Sequence, residues 1–239
     1  YVPSRAPFPN KAMVNVHGAD MRVIGGRYPD ALDALHSDLV TDWYSLQEFT
    51  TPYRHDGYRT LAYEVAGARD WTAPDAVVLA VGTGETLVGI DRGFRDLVEL
   101  GLTDRIPRLY AVQAEGCAPI VTAHEASADA VESVEYPDTI CGELELPDPA
   151  GGSLALDALA GSGGEAVAVS DEDLLESAVA LTQRLGTEVG ATGGAAAAGA
   201  WALAERGAFD TDDSVVVVNA DAGVKTADLL RSHLMGQGV

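Results

Sequence analysis

The chain has 239 residues, 37 acidic against 15 basic, a net charge of −22 and a hydrophobic fraction of 47%. This length and apolar content suit one large domain or two small ones around a buried core, and the charge makes nucleic acid and anionic membranes poor partners. No apolar stretch reaches membrane length and no signal peptide stands at the start; the two cysteines, Cys117 and Cys141, have neither metal-ligand nor disulfide-framework spacing, which fits a reducing cytoplasm.

The acids are scattered (D-A-L-D, S-D-E-D, D-T-D-D) rather than gathered in a tail. That pattern describes an acidic skin over a folded body, which salt screens, and it reads as adaptation to high salt. Only two of the basic residues are lysines, Lys11 and Lys225.

In chain order, Tyr1-Val2-Pro3 reads as the end of a strand and the loop after it, as if an N-terminal portion preceded it. Asn10 is placed to cap a helix running to His17. Residues 21–26 form a short strand closed by glycines. Tyr28-Pro29 opens a helix, since proline is tolerated at its first positions. Residues 42–45 are expected to be a strand, and 52–66 a loop leading into a helix. The run A-V-V-L-A-V at 76–81 is a strand buried on both faces. Strands follow at 108–113 and 165–169, with an irregular Pro, Gly and Asp-rich stretch between them. Ser170 caps an acidic-started helix with apolar positions at Leu174, Leu175, Ala178 and Leu185. A small-residue helix, a last buried strand at 214–219 and a last helix complete the chain. Alternating strands and helices mean an α/β fold, an open, mainly parallel sheet with helices on both faces. Ligands bind at the carboxyl ends of such strands. The loops after 76–81 and 214–219 are therefore expected to border one cleft.

The first of these loops is G-T-G-E-T: Gly82, Thr83, Gly84, Glu85 and Thr86. Glycines let the backbone turn tightly and aim N–H groups at an anion, the helix behind adds its positive end, and the two threonines add hydroxyls. A tight turn without ligand is the bland alternative. The run L-A-V-G-T-G-E-T also resembles the first motif of nucleoside-binding methyltransferases, with Glu115 placed to hold a ribose. That motif, however, normally follows the first strand of its fold, and here βα units precede it.

The longer pattern, V-G-T-G-E-T-L-V-G-I-D-R-G-F and then R-L-Y-A-V-Q-A-E-G-C-A-P-I, resembles the fold-type II pyridoxal-phosphate enzymes, the threonine synthase branch most closely. P-N-K-A-M-V-N-V-H-G-A-D-M-R-V-I-G-G looks like a βα unit of that family's small domain. T-P-Y-R-H-D-G-Y-R-T looks like the return to the large domain. The resemblance implies a small-domain remnant at 1–45 and a cofactor domain at 46–239. It also implies pyridoxal 5′-phosphate as cofactor, a small amino-acid substrate and a homodimer. The implied reaction is the conversion of O-phosphohomoserine to threonine and phosphate. Gly82, Thr83, Gly84, Glu85 and Thr86 fall on the family's phosphate loop, and Ala220 falls where a Ser or Thr meets the pyridine nitrogen.

Several positions depart from the family pattern. Glu85 stands where glycine is usual, and its side chain is expected to point to solvent, leaving the amides free. Ala220 has no polar side chain, though Asp221 is its neighbour. Gly190 and Gly193 replace the acid and the serine of an E-P-x-S-A stretch, leaving Thr192 as the nearby hydroxyl. Neither Lys11 nor Lys225 matches the lysine that carries the cofactor covalently. Both read as surface residues, and the chain as given is expected to be inactive. These departures also raise a non-catalytic paralogue as an alternative. His55 is expected in a solvated loop, Tyr53 and Arg54 near the active-site side, and Trp43, Trp71 and Trp201 in packing. His17, His36, His124 and His233 have no metal spacing.

Overall fold

A computed structural model describes residues 1–40 and 42–236. The chain opens with β1 (Val2–Pro3), α1 (Phe8–Val16), β2 (Val23–Ile24) and α2 (Tyr28–Asp38), in which the two strands pair in parallel. Then come α3 (Tyr53–Gly57), α4 (Arg59–Gly67), β3 (Ala76–Ala80), α5 (Glu85–Glu99), β4 (Arg108–Ala114), α6 (Pro119–Glu125) and α7 (Gly152–Ser162). The remainder is β5 (Ala166–Val169), α8 (Asp171–Leu185), α9 (Ala191–Glu205), β6 (Val215–Val217), a 3-10 turn (Gly223–Thr226) and α10 (Ala227–Leu234). The second sheet is wholly parallel, in the order β5-β4-β3-β6, with Val78 opposite both Tyr110 and Val217.

Because side chains alternate across a strand, each strand of this sheet feeds two cores. Val77, Leu79, Leu109 and Ala111 pack with Ala62, Leu87, Phe94 and Leu159 on one face. Val78, Tyr110 and Val112 pack with Leu174, Leu175, Ala195 and Leu203 on the other. Phe94 is fully buried, a burial worth roughly 1.5–3 kcal/mol. Helix α9 is mostly alanine and glycine because its neighbours leave no room. A Cβ on Gly194 would stand 2.1 Å from the Leu174 carbonyl oxygen, and one on Gly199 would stand 2.3 Å from Val112 Cγ2.

Several local expectations give way. Helix α1 starts at Phe8 without a side-chain cap, so Asn10 lies inside it. Residues 42–45 form no strand; neither the short β1–β2 sheet nor the larger one extends to them. The segment expected to be a loop after Pro52 is already helical at Tyr53. The stretch between β4 and β5 contains two helices, α6 and α7. Strand β6 lies at the sheet edge, only part-buried and exposed at Val217, rather than inside. Trp43, Trp71 and Trp201 are each 40% exposed or more, so none is a core packing residue. The Ser170 cap forms as expected, its hydroxyl accepting from the Asp173 amide at 3.1 Å. Among the described residues no helix is long and apolar enough to cross a membrane.

Candidate functional site

The chain leaves β3 at Ala80 and turns through Gly82, Thr83 and Gly84 into the fifteen-residue helix α5. Gly84 has φ +96°, a conformation L side chains rarely adopt, and a Cβ there would stand 3.0 Å from the Gly151 carbonyl oxygen. The Gly151 amide in turn donates to the Thr83 carbonyl at 2.9 Å, pinning the turn from behind. Among the described residues no acceptor takes the amide protons of Thr83, Gly84, Glu85 or Thr86. Free amides at the positive end of a long helix are the elements of an anion site.

Gly82, Thr83 and Thr86 line a cavity of about 470 Å³, whereas Gly84 and Glu85 are buried behind it. Glu85 does not point to solvent. It is 2% exposed, pairs with Arg54 Nη2 at 2.9 Å and accepts from the Phe49 amide at 3.4 Å. Arg54 also donates to the Leu46 carbonyl at 2.8 Å and lies 3.4 Å from Glu48. The extra acid in the glycine turn is thus turned back into the protein and met by a cation. The repulsion it would exert on an anion at the amides is offset there.

The opposite wall comes from the carboxyl end of β6, the neighbour of β3. Ala220 lines the cavity and is itself exposed. Asp221 lines it too, is 7% exposed, and has no hydrogen-bond partner on either carboxylate oxygen among the described residues. Its nearest cation is Lys225 Nζ at 3.5 Å, an ion pair without hydrogen-bond geometry. Lys225 is therefore a cavity residue and not plain surface, a correction due to the turn Gly223–Thr226 that folds it back. Lys11 does stay off the cavity wall, donating to the Ser4 carbonyl at 2.7 Å.

Two of the odd glycines explain themselves here. A Cβ on Gly190 would stand 2.0 Å from Asp221 Oδ2, and one on Gly193 would stand 2.1 Å from Asn219 Oδ1. Each makes room for a polar side chain from the loop after β6.

The wall also carries Glu48, Glu143, Glu145 and Asp221 against Arg5, Arg27, Arg54 and Lys225. Four acids thus face four cations, a local balance absent from the chain as a whole. Glu145 pairs with Arg27 at 2.9 Å and Arg5 at 3.6 Å, and Arg27 also donates to the Pro137 carbonyl. Glu143 is half-buried; burial first, and then the charge of Asp221, raise its pKa, while its carboxylate accepts from Thr192 at 3.4 Å. Behind Thr192, burial pushes the Cys141 thiol up to about 12. Tyr28 donates to Glu48 at 2.6 Å, and burial together with that bond raises its hydroxyl.

His55 is not in a solvated loop: it is 7% exposed on α3 and stacks on Phe49 at 5.3 Å. Tyr53 is exposed and off the cavity wall. Glu115 is exposed and also off the wall, so a ribose held there would lie outside the cavity. Among the described residues no cluster of His, Cys, Asp and Glu suits a metal.

The cavity therefore has in its lining Thr83 and Thr86, whose amides are free, and Asp221, whose carboxylate accepts no hydrogen bond among the described residues, which fits a ligand with an anionic end and a hydrogen-bond donor. A model of the family described as "Pyridoxal-phosphate dependent enzyme" matches residues 1–221. The chain belongs to this pyridoxal-phosphate enzyme family. Within it, the chain is 33% identical over 207 residues to the threonine synthase of Methanosarcina acetivorans, covering 87% of this chain and 51% of that protein. It is 30% identical over 217 residues to the threonine synthase of Methanocaldococcus jannaschii, covering 91% and 54%. The chain thus spans about half the length of the curated relatives it matches. Among solved structures it resembles a fungal L-serine ammonia-lyase from Rhizomucor miehei, with TM-score 0.81, 18% identity, and 97% of this chain on 72% of that one. It also resembles threonine deaminase isoform 2 from Solanum lycopersicum, with TM-score 0.73, 16% identity, and coverage of 97% and 64%. The chain accordingly has the α/β arrangement of fold-type II members of this family.

Proposed function

We propose that the chain is the cofactor-holding part of a threonine-synthase-like lyase acting on O-phosphohomoserine, soluble in the cytoplasm and assembled as a homodimer. The observation that carries this is the set of unclaimed amides in the turn after β3, of which Thr83 and Thr86 line a cavity whose wall charges balance. The amides of residues 83–86, with the Thr83 and Thr86 hydroxyls, would hold the cofactor phosphate. The bound cofactor supplies an electron sink for carbanion chemistry.

This chain's own residues do the rest of the positioning. Arg54 neutralises Glu85, so the turn keeps its positive character. Glu143, whose pKa is raised by burial and by the charge of Asp221, is the wall carboxyl that accepts from Thr192. Lys225 is the amine on the cavity wall, and its Nζ lies 3.5 Å from Asp221 Oδ1. On this reading the chain as given binds cofactor without turning substrate over, because neither Lys11 nor Lys225 matches the lysine that carries the cofactor covalently. The paralogue reading drew on Glu85, Gly190 and Ala220 as losses. Glu85 and Gly190 each have a compensating neighbour, which favours a site under maintenance over one in decay.

Titration with pyridoxine 5′-phosphate, which has the phosphate and ring without the reactive aldehyde, tests the site by calorimetry. Saturable binding displaced by inorganic phosphate is expected. No binding would end the cofactor reading. Phosphate release from O-phosphohomoserine with pyridoxal 5′-phosphate present tests the reaction; release by this chain would refute the inactivity. Light scattering checks the dimer.

A further inference from the structure

Asp221 is the buried polar group that the site as described leaves without a task. Its side chain is 3% exposed, it lines the cavity, and neither carboxylate oxygen accepts a hydrogen bond among the described residues. A buried carboxylate without a hydrogen bond is costly, and one kept in a cavity calls for a donor. The nearest cation, Lys225, forms an ion pair at 3.5 Å with its own side chain 41% exposed, and leaves both oxygens without a hydrogen bond. Arg27 and Arg5 face Glu145, and Arg54 faces Glu85. The backbone makes deliberate room for the carboxylate, because any side chain at 190 would overlap Oδ2. Asp221 leaves β6 at the same sheet end where the amide turn leaves β3, and those strands are parallel neighbours.

We propose that Asp221 is the partner of the cofactor's ring nitrogen and holds that nitrogen in its protonated, cationic form. This rests on the cofactor reading above and deepens it. Ala220, beside it, has no group to donate or accept, so a carboxylate replaces a neutral contact. A protonated ring pulls electrons more strongly than a neutral one, so Asp221 sets the electronic character of the site. The titratable groups around it are Lys225 on its own turn and Glu143 and Cys141 on the segment packed against it. Lys225 is the one of these that opposes a cation beside Asp221.

The test uses pyridoxine 5′-phosphate carrying ¹⁵N in the ring, at a pH where the free compound's nitrogen is neutral. On the unaltered chain the bound nitrogen is expected to resonate as protonated. In Asp221→Asn, of the same shape, it is expected to resonate as neutral, with affinity lower by about tenfold, the size of one charge-assisted hydrogen bond. Gly190→Ala, which forces the carboxylate aside, is expected to give the same two changes. Inorganic phosphate is expected to bind Asp221→Asn as tightly as the unaltered chain, which shows that the variant is folded and its amide turn intact. A neutral nitrogen on the unaltered chain, or unchanged affinity in Asp221→Asn, overturns the proposal while leaving the cofactor reading standing. Failure of the probe to bind the unaltered chain overturns both.

Discussion

Replacing Arg54 with methionine removes the cation that faces Glu85 and keeps most of the side-chain volume. The carboxylate left behind is 2% exposed and retains one long hydrogen bond, from the Phe49 amide at 3.4 Å. Two unit charges about 4 Å apart attract by roughly 4 kcal/mol at an effective dielectric of about 20. Stripping one partner from a buried pair costs about 3–5 kcal/mol. Arg54 keeps 35% of its side chain in solvent, so screening trims the figure to about 3 kcal/mol. The reverse change, Glu85→Gln, is gentler: the amide oxygen still accepts from Phe49, and Arg54 retains the Leu46 carbonyl and Glu48. We expect it to cost about 1 kcal/mol, a hydrogen-bond-sized loss. For a chain of this size each kcal/mol moves Tm by about 2–4 °C. Calorimetric melting should therefore show Arg54→Met lower by about 6–12 °C and Glu85→Gln by about 2–4 °C. Arg54→Met should also weaken phosphate binding, because the acid behind the amides is then bare. Equal shifts for the two variants, or unimpaired phosphate binding in Arg54→Met, would refute the view that Arg54 neutralises a buried charge.

Other consequences are open to measurement. Glu143 has a folded-state pKa above its ordinary 4.5, so the native state holds this proton longer than the unfolded chain. The group's contribution to stability thus falls as pH rises from 4.5 through the raised value. Glu143→Gln should raise Tm at neutral pH and leave it unchanged below the ordinary carboxylate range, and a pH series of melting curves checks both arms. The buried thiols of Cys117, raised to about 11 chiefly by burial, and Cys141, raised to about 12, should resist a disulfide reagent at neutral pH until urea unfolds the chain. With a net charge of −22, Tm should climb steeply as potassium chloride is added, because salt screens the surface repulsion. A flat response would dispose of the salt-adapted reading.

The sheet was legible where its strands are apolar on both faces, as in β3, β4 and β5, and α8 announced itself through the Ser170 cap and a clear apolar stripe. Helices α6 and α7 were hidden for a physical reason. The α7 sequence G-S-L-A-L-D-A-L-A-G-S has apolar residues on nearly every side, so it shows no stripe, and it follows a run of Pro, Gly and Asp that reads as loop. Helix α3 was missed because its first turn has no side-chain cap. In the site, the anion turn was visible because glycine spacing is local. The partners of Glu85, Gly190 and Gly193 were not, because each lies on an element distant in sequence and meets its residue only across the fold.

Those distant partners change how departures from a family pattern are weighed. Taken singly, an acid in the anion turn and glycines at 190 and 193 look like damage. Taken with their neighbours they are three exchanges. Glu85 comes with Arg54, so charge is balanced behind the amides. Gly190 comes with Asp221, so the carboxylate absent from one loop is supplied by the next, into the space the glycine leaves. Gly193 comes with Asn219 in the same way, with the Asn219 amide nitrogen fixed on the Glu188 carbonyl at 3.0 Å. Each exchange matches a volume or a charge to a neighbour far away in sequence. Arg54 and Asp221 both line the cavity, so two of the three exchanges keep its wall matched, while the third, between Gly193 and Asn219, lies off it.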